Sequence, residues 1–95
     1  MPEVLEPTAV DDALQERGLG WRRDGDSIVK KVKRDGFAGA LAFVNEVGAL
    51  AEAAGHHPDI DIRWDTVTLV LSTHSAGGLT HNDLDLAAQI DALGH

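Results

Sequence analysis

Residues 37–51 read Phe37-Ala38-Gly39-Ala40-Leu41-Ala42-Phe43-Val44-Asn45-Glu46-Val47-Gly48-Ala49-Leu50-Ala51, and the fold turns on this run. Phe37, Ala40, Leu41, Val44, Val47, Gly48 and Ala51 recur at i, i+3, i+4, i+7 spacing, the pattern of a helix with one apolar face. No proline interrupts it. Gly55 stands where a helix commonly stops, and Pro58 lies just beyond. The spacing therefore predicts a helix over 37–54, with His56 and His57 immediately past its C-terminus.

Downstream, residues 60–64 and 67–75 flank Asp65-Thr66. Val67, Leu69, Leu71 and Thr73 share one parity; Thr68, Val70, Ser72 and His74 share the other. That period-2 alternation predicts a strand with His74 at its end. Gly77-Gly78 breaks it. Thr80 is a candidate N-cap, with Asp83 three residues later as in a capping box, and Leu86, Ala87, Ile90 and Leu93 form an apolar side. Upstream, residues 19–23 and 27–34 flank Asp24-Gly25, a hairpin signal. In the second of these segments the alternation is imperfect, because Ile28 and Val32 share parity with Lys30 and Arg34. A first helix is expected over 9–17, capped by Thr8 and stopped by Gly18. Residues 1–7 are rich in Pro and Glu and are expected to be loose. The order α-β-β-α-β-β-α predicts an α+β, two-layer domain over 1–95: a four-stranded, largely antiparallel sheet with helices packed on one face.

Composition narrows the function. Sixteen acids against eight bases give a formal charge of −8, which argues against gripping nucleic acid through its phosphates. Six of the eight bases fall between Arg22 and Arg34, either as a solvated hairpin or as a local anion or partner surface. The chain has no cysteine, hence no disulfide scaffold, thiol nucleophile or thiolate metal site. The longest apolar run, Val67 to Leu71, is strand-sized, so no membrane span is expected. The N-terminus lacks the basic and apolar regions of a signal peptide, and a cytoplasmic location is expected.

The histidines are the candidate chemistry. Proton transfer near neutral pH calls for an imidazole, and His56 and His57 follow the negative end of a helix, which favours an imidazolium. Adjacent residues in an extended segment point in opposite directions, so the two are expected to differ in role. Pro58 fixes its own φ and restricts His57. Other readings stay open at this point: simple capping for His56, a surface position for His74, and a metal site. The last lacks both H-x-x-x-H spacing and cysteine. His81 and His95 have no partners in sequence and read as surface residues.

Glu52-x3-His56-His57-Pro58 is followed by five residues and Trp64, then nine residues and His74, then Gly78-Leu79-Thr80 and Asp83. This ordered pattern resembles the signature of the pterin-4a-carbinolamine dehydratases. Gly20-Trp21, the strand over 27–33, the helix opened by Phe37 and the tail Asp83-Leu84-x-Leu86-Ala87-x-x-Ile90-Asp91 extend the resemblance over roughly residues 10–93. It implies the same α-β-β-α-β-β-α fold. It also implies dehydration of 4a-hydroxytetrahydropterin to quinonoid dihydropterin and water, without metal or organic cofactor. By motif position, His56 and His74 resemble the acid/base residues, and His57 with Pro58 resembles the residues that hold the substrate. Trp21 and Asp83 match positions near the pocket. The resemblance further implies a pterin substrate, an aromatic amino acid hydroxylase as metabolic partner, and a homo-oligomer of two or four subunits. Family members that act instead as dimerisation partners of a transcription factor, or in Rubisco assembly, supply the alternative of a non-catalytic binding module. Three departures fall beside the histidines. Gly55 stands where many members carry Asp or Asn, which removes a side chain able to hydrogen-bond a histidine. Ser75 replaces a common acidic residue, and Asn82 a common basic one.

Overall fold

The computed structural model describes residues 3–93. In chain order the elements are α1 (Pro7–Glu16), β1 (Arg22–Asp24), β2 (Ser27–Lys33), α2 (Gly36–Ala54), β3 (Asp59–Arg63), β4 (Thr66–Leu71), a 3-10 turn (His74–Ala76) and α3 (His81–Asp91). The four strands form one sheet in the order β1-β2-β4-β3, with every neighbouring pair antiparallel. Two hairpins thus meet along β2 and β4, where Ile28 pairs with Leu71, Lys30 with Leu69 and Val32 with Val67.

The strand alternation decides which face the helices cover. Ile28, Val32, Val67, Leu69 and Leu71 are buried, in one core with Val10 and Leu14 of α1, Ala40, Phe43, Val47 and Ala51 of α2, and Leu84, Ala87 and Ile90 of α3. Burial of a side chain such as Phe43 or Leu69 contributes about 1.5–3 kcal/mol each. Arg22, Val29, Lys31, Asp61, Arg63 and Thr68 have the opposite parity and lie on the open face.

The expected elements all form, but their ends move. Helix α1 starts at Pro7, with Glu6 rather than Thr8 at the cap position, because proline's fixed φ suits the first turn. The stretch expected to be loose is tied down at Leu5, whose N–H donates to the Leu79 carbonyl at 2.7 Å. The first hairpin turns on Gly25 and Asp26, with Asp24 paired to Ser27. The second turns on Trp64 and Asp65, one residue earlier than expected, and Trp64 takes a left-handed φ of 56°. Strand β4 stops at Leu71, so His74 opens the 3-10 turn instead of ending a strand. The reason is local: Thr73 and Gly78 form an isolated antiparallel bridge, and Gly77, at φ 79°, closes the turn onto the Thr73 and His74 carbonyls.

Helix α2 spans 19 residues and is apolar enough that, by length and composition alone, it matches a membrane span, which the longest uninterrupted apolar run does not suggest. Its Ala40, Phe43, Val47 and Ala51 stripe nevertheless packs into the core, as in the central helix of a two-layer domain.

The basic window is mostly spent on structure. Arg23 pairs with Asp11, Lys30 with Asp91 and Lys33 with Asp65, while Arg34 lies 5.3 Å from the Phe43 ring centroid. The Lys33 hydrogen bond, with its charge, keeps Asp65 below the ordinary carboxylate range despite desolvation.

Candidate active site

His56 is placed by the way α2 ends. Gly55 takes φ 63° and ψ 30°, a left-handed conformation that glycine adopts without a Cβ penalty. The Gly55 N–H then donates to the Glu52 carbonyl at 3.2 Å, and the His56 N–H to the Ala51 carbonyl at 3.1 Å. These are the two bonds of a Schellman cap. They turn the chain back under the helix and deliver the His56 ring to the N-terminus of α3.

There it meets Asp83. His56 Nε2 lies 2.5 Å from Asp83 Oδ1, with the histidine side chain 13% exposed and the carboxylate 0% exposed. A buried carboxylate is costly unless it is fully hydrogen-bonded. Asp83 meets that need through its other oxygen: Oδ2 accepts the Thr80 N–H at 2.9 Å and the Thr73 hydroxyl at 2.7 Å. The Thr80 contact is half of a capping box, whose other half is the Asp83 N–H donating to the Thr80 side chain, and the Thr80 hydroxyl also accepts the Asn82 N–H at 3.2 Å. Lying in the first turn of α3, the carboxylate also sits at the positive end of that helix.

His57 diverges from His56, as adjacent residues in an extended segment should. Its Nε2 is 2.6 Å from Glu52 Oε1, and both side chains are exposed. Such a pair contributes little stability but limits the ring's orientations. Pro58 follows, half-buried, and leads into β3. His74 is exposed, and its ring has no hydrogen-bond partner among the described residues. Its position is tied to the cluster through Thr73, its neighbour in sequence, which is bonded to Asp83. Two hydrogen bonds therefore connect Thr73, beside His74, to His56.

Five of the six residues singled out in sequence, namely His56, His57, Pro58, His74 and Asp83, belong to this neighbourhood. Trp21 does not. Its indole is buried, and Nε1–H donates to Asp91 Oδ1 at 2.9 Å, at the far end of α3 from Asp83. Eight helical steps separate the two aspartates, about 12 Å at 1.5 Å per residue. Of the remaining histidines, His81 is exposed at the start of α3, and His95 lies outside the described residues. Thr73 and Thr80 are the residues that the motif reading left without a site role. A signal was present: Thr73 shares parity with Val67, Leu69 and Leu71, and a hydroxyl on a buried face needs a partner.

No group of three or more His, Cys, Asp or Glu that could hold a metal ion occurs among the described residues. A broad depression does exist, between Arg22, Lys31, Asp61 and Arg63, but it lies on the open face of the sheet, away from α3. The chemistry-bearing cluster is instead an open one. It offers a partly buried imidazole paired with a buried carboxylate, a second imidazole oriented by a glutamate, and a third that is unpartnered.

Residues 3–93 match the family described as pterin 4 alpha carbinolamine dehydratase. A protein of Nocardia farcinica, provisionally named a pterin-4-alpha-carbinolamine dehydratase, is 55% identical over 91 residues, 96% of this chain and 95% of its own. One of Roseiflexus castenholzii, provisionally named likewise, is 54% identical over 93 residues, 98% of this chain and 99% of its own. Among solved structures, a transcriptional coactivator/pterin dehydratase from Brucella melitensis superposes with a TM-score of 0.89 at 28% identity, covering 98% of this chain and 100% of that one. A pterin dehydratase-like protein identified as a RuBisCO assembly factor in the alpha-carboxysome reaches 0.66 at 28% identity, covering 81% and 92%.

Proposed function

Because the chain belongs to the pterin-4a-carbinolamine dehydratase family, we propose that it catalyses the dehydration of 4a-hydroxytetrahydropterin to quinonoid dihydropterin. The observation that carries this reading is the pair formed by the partly buried His56 and the buried Asp83, linked through Thr73 to the position of His74. In the reaction the 4a-hydroxyl takes up a proton, the C–O bond breaks to release water, and a ring nitrogen gives up a proton. One imidazole donates and another accepts, so His56 and His74 act as the acid/base pair. His57, steadied by Glu52, and Pro58 hold the heterocycle. The product is a dihydropterin that returns to the tetrahydro form by reduction, which places the enzyme beside a pterin-dependent hydroxylase of aromatic amino acids. The reaction as proposed uses no metal or organic cofactor.

Stopped-flow decay of synthetic 4a-hydroxytetrahydropterin tests the reading. Wild-type protein is expected to accelerate the decay, and His56→Ala and His74→Ala to lose about 10²–10⁴-fold of that acceleration, the usual contribution of a positioned acid or base. A wild type that leaves the spontaneous rate unchanged, or either variant running at wild-type speed, refutes it.

A binding role on the same fold is the second reading, favoured by the coactivator and assembly-factor names of the two structural neighbours. Retention of His56, His57 and His74 weighs toward catalysis. A specific protein partner recovered together with no pterin binding by calorimetry would reverse that weighting.

A further inference from the structure

Asp83 has two oxygens, and they are unequally loaded. Oδ2 accepts two hydrogen bonds, from the Thr73 hydroxyl and the Thr80 N–H, whereas Oδ1 faces His56 Nε2. An ionised carboxylate has no proton to give, so every proton along this network has one direction. The Thr80 hydroxyl accepts from Asn82 N–H and donates to Thr73 Oγ1 across 2.8 Å. The Thr73 proton is thereby directed to Asp83 Oδ2. His56 must then bring its own proton to Oδ1, on Nε2. Thr73, Thr80 and Asp83 are all buried, so bulk water does not compete for these bonds.

We propose that Thr73 is a positioning residue for the proton transfer. It holds the Asp83 carboxylate in the rotation that locks His56 in the Nε2–H tautomer, and so makes Nδ1 the atom that exchanges a proton with the substrate. Nδ1 has no hydrogen-bond partner among the described residues, which leaves it available. The same residue fixes the backbone from which His74 projects, because the Thr73 N–H donates to the Gly78 carbonyl and the Thr73 carbonyl accepts from Ala76 N–H, each at 3.0 Å. One threonine thus sets the tautomer of one acid/base group and the placement of the other. The identity of the substrate rests on the dehydratase reading; the tautomer does not.

Long-range proton–nitrogen spectra of the ¹⁵N-labelled full chain, recorded above the histidine titration, read the tautomer with no substrate present. Wild type is expected to show His56 with its proton on Nε2 alone. Thr73→Val keeps the side-chain shape but removes the hydroxyl. In that variant the two His56 nitrogens are expected to average. The kcat for dehydration should fall about tenfold, part of the ~10²–10⁴-fold of a full acid/base group, with KM changed less than about twofold. Thr73→Ser is expected to restore both readouts. A wild-type His56 protonated on Nδ1 overturns the proposal, as does a Thr73→Val spectrum and kcat indistinguishable from wild type. Should no variant and no wild type turn over the pterin, the dehydratase reading fails, and the spectra still decide the role of Thr73.

Discussion

Gly55 is the residue on which the site pivots. Nothing lies within 4 Å of where its Cβ would be, so a side chain there meets no steric obstacle; the cost is the left-handed backbone alone. For an alanine that cost is roughly 1–2 kcal/mol, and asparagine bears it better. Gly55→Ala is therefore expected to lower unfolding free energy by about 1 kcal/mol in urea titration, and Gly55→Asn by less than half of that. An Asp or Asn here would also suit a left-handed residue, and Gly55 leaves no gap beside His56, whose partner is Asp83. The histidines and Asp83 were legible because they recur at fixed spacings in one motif. The partners of Thr73 were not: they lie seven and ten residues away, across a turn whose geometry the strand-like alternation concealed.

Between elements, Asp91 does for the far end of α3 what Asp83 does for the near end. Its carboxylate accepts from Lys30 Nζ at 2.6 Å, Trp21 Nε1 at 2.9 Å and the Gly20 N–H at 3.0 Å, tying α3 to β2 and to the entry of β1. Burial works against the charged form, but the hydrogen bonds from Lys30, Gly20 and Trp21, with the Lys30 charge, outweigh it and hold Asp91 below the ordinary carboxylate range. A depressed acid stabilises the fold fully above its unfolded-state value near 3.8, and that stability is lost as the pH falls through the lower folded-state value. Asp91→Asn is expected to cost about 2 kcal/mol at pH 7, through weakened charge-assisted bonds. The variant and wild type should converge as the pH falls through the depressed folded-state value of Asp91; thermal unfolding followed across pH 2–7 measures both. This contact also explains the imperfect alternation of β2. Lys30 falls on the buried parity because its ammonium reaches past the core to Asp91, and no periodicity rule contains that information.

At the scale of the molecule, the layer architecture followed from two periodicities, 3.6 along α2 and 2 along β4. The order of strands did not, since the pairing of β2 with β4 joins segments about forty residues apart and leaves no local trace in sequence. The outer side of the molecule carries a further consequence. Phe37 and Leu41, one turn apart on α2, are exposed, and so is Ile60 on the edge strand β3. Apolar exposure on a central helix and on a sheet edge is the pattern of a surface that awaits a partner. A homo-oligomer of two or four subunits is expected, and light scattering at micromolar concentration should return a multiple of 10.1 kDa; a monomeric mass refutes it. The two tryptophans, finally, stand in opposite optical circumstances. Trp21 is 6% exposed with its N–H engaged, whereas Trp64 is 69% exposed on the left-handed turn at a hairpin tip, and the chain contains no tyrosine. The near-ultraviolet emission of this protein is thus the sum of a shielded lamp and an open one. A collisional quencher in solution reaches Trp64 first, which separates light that reports the seam between α3 and β1 from light that reports whatever approaches the tip of the β3–β4 hairpin.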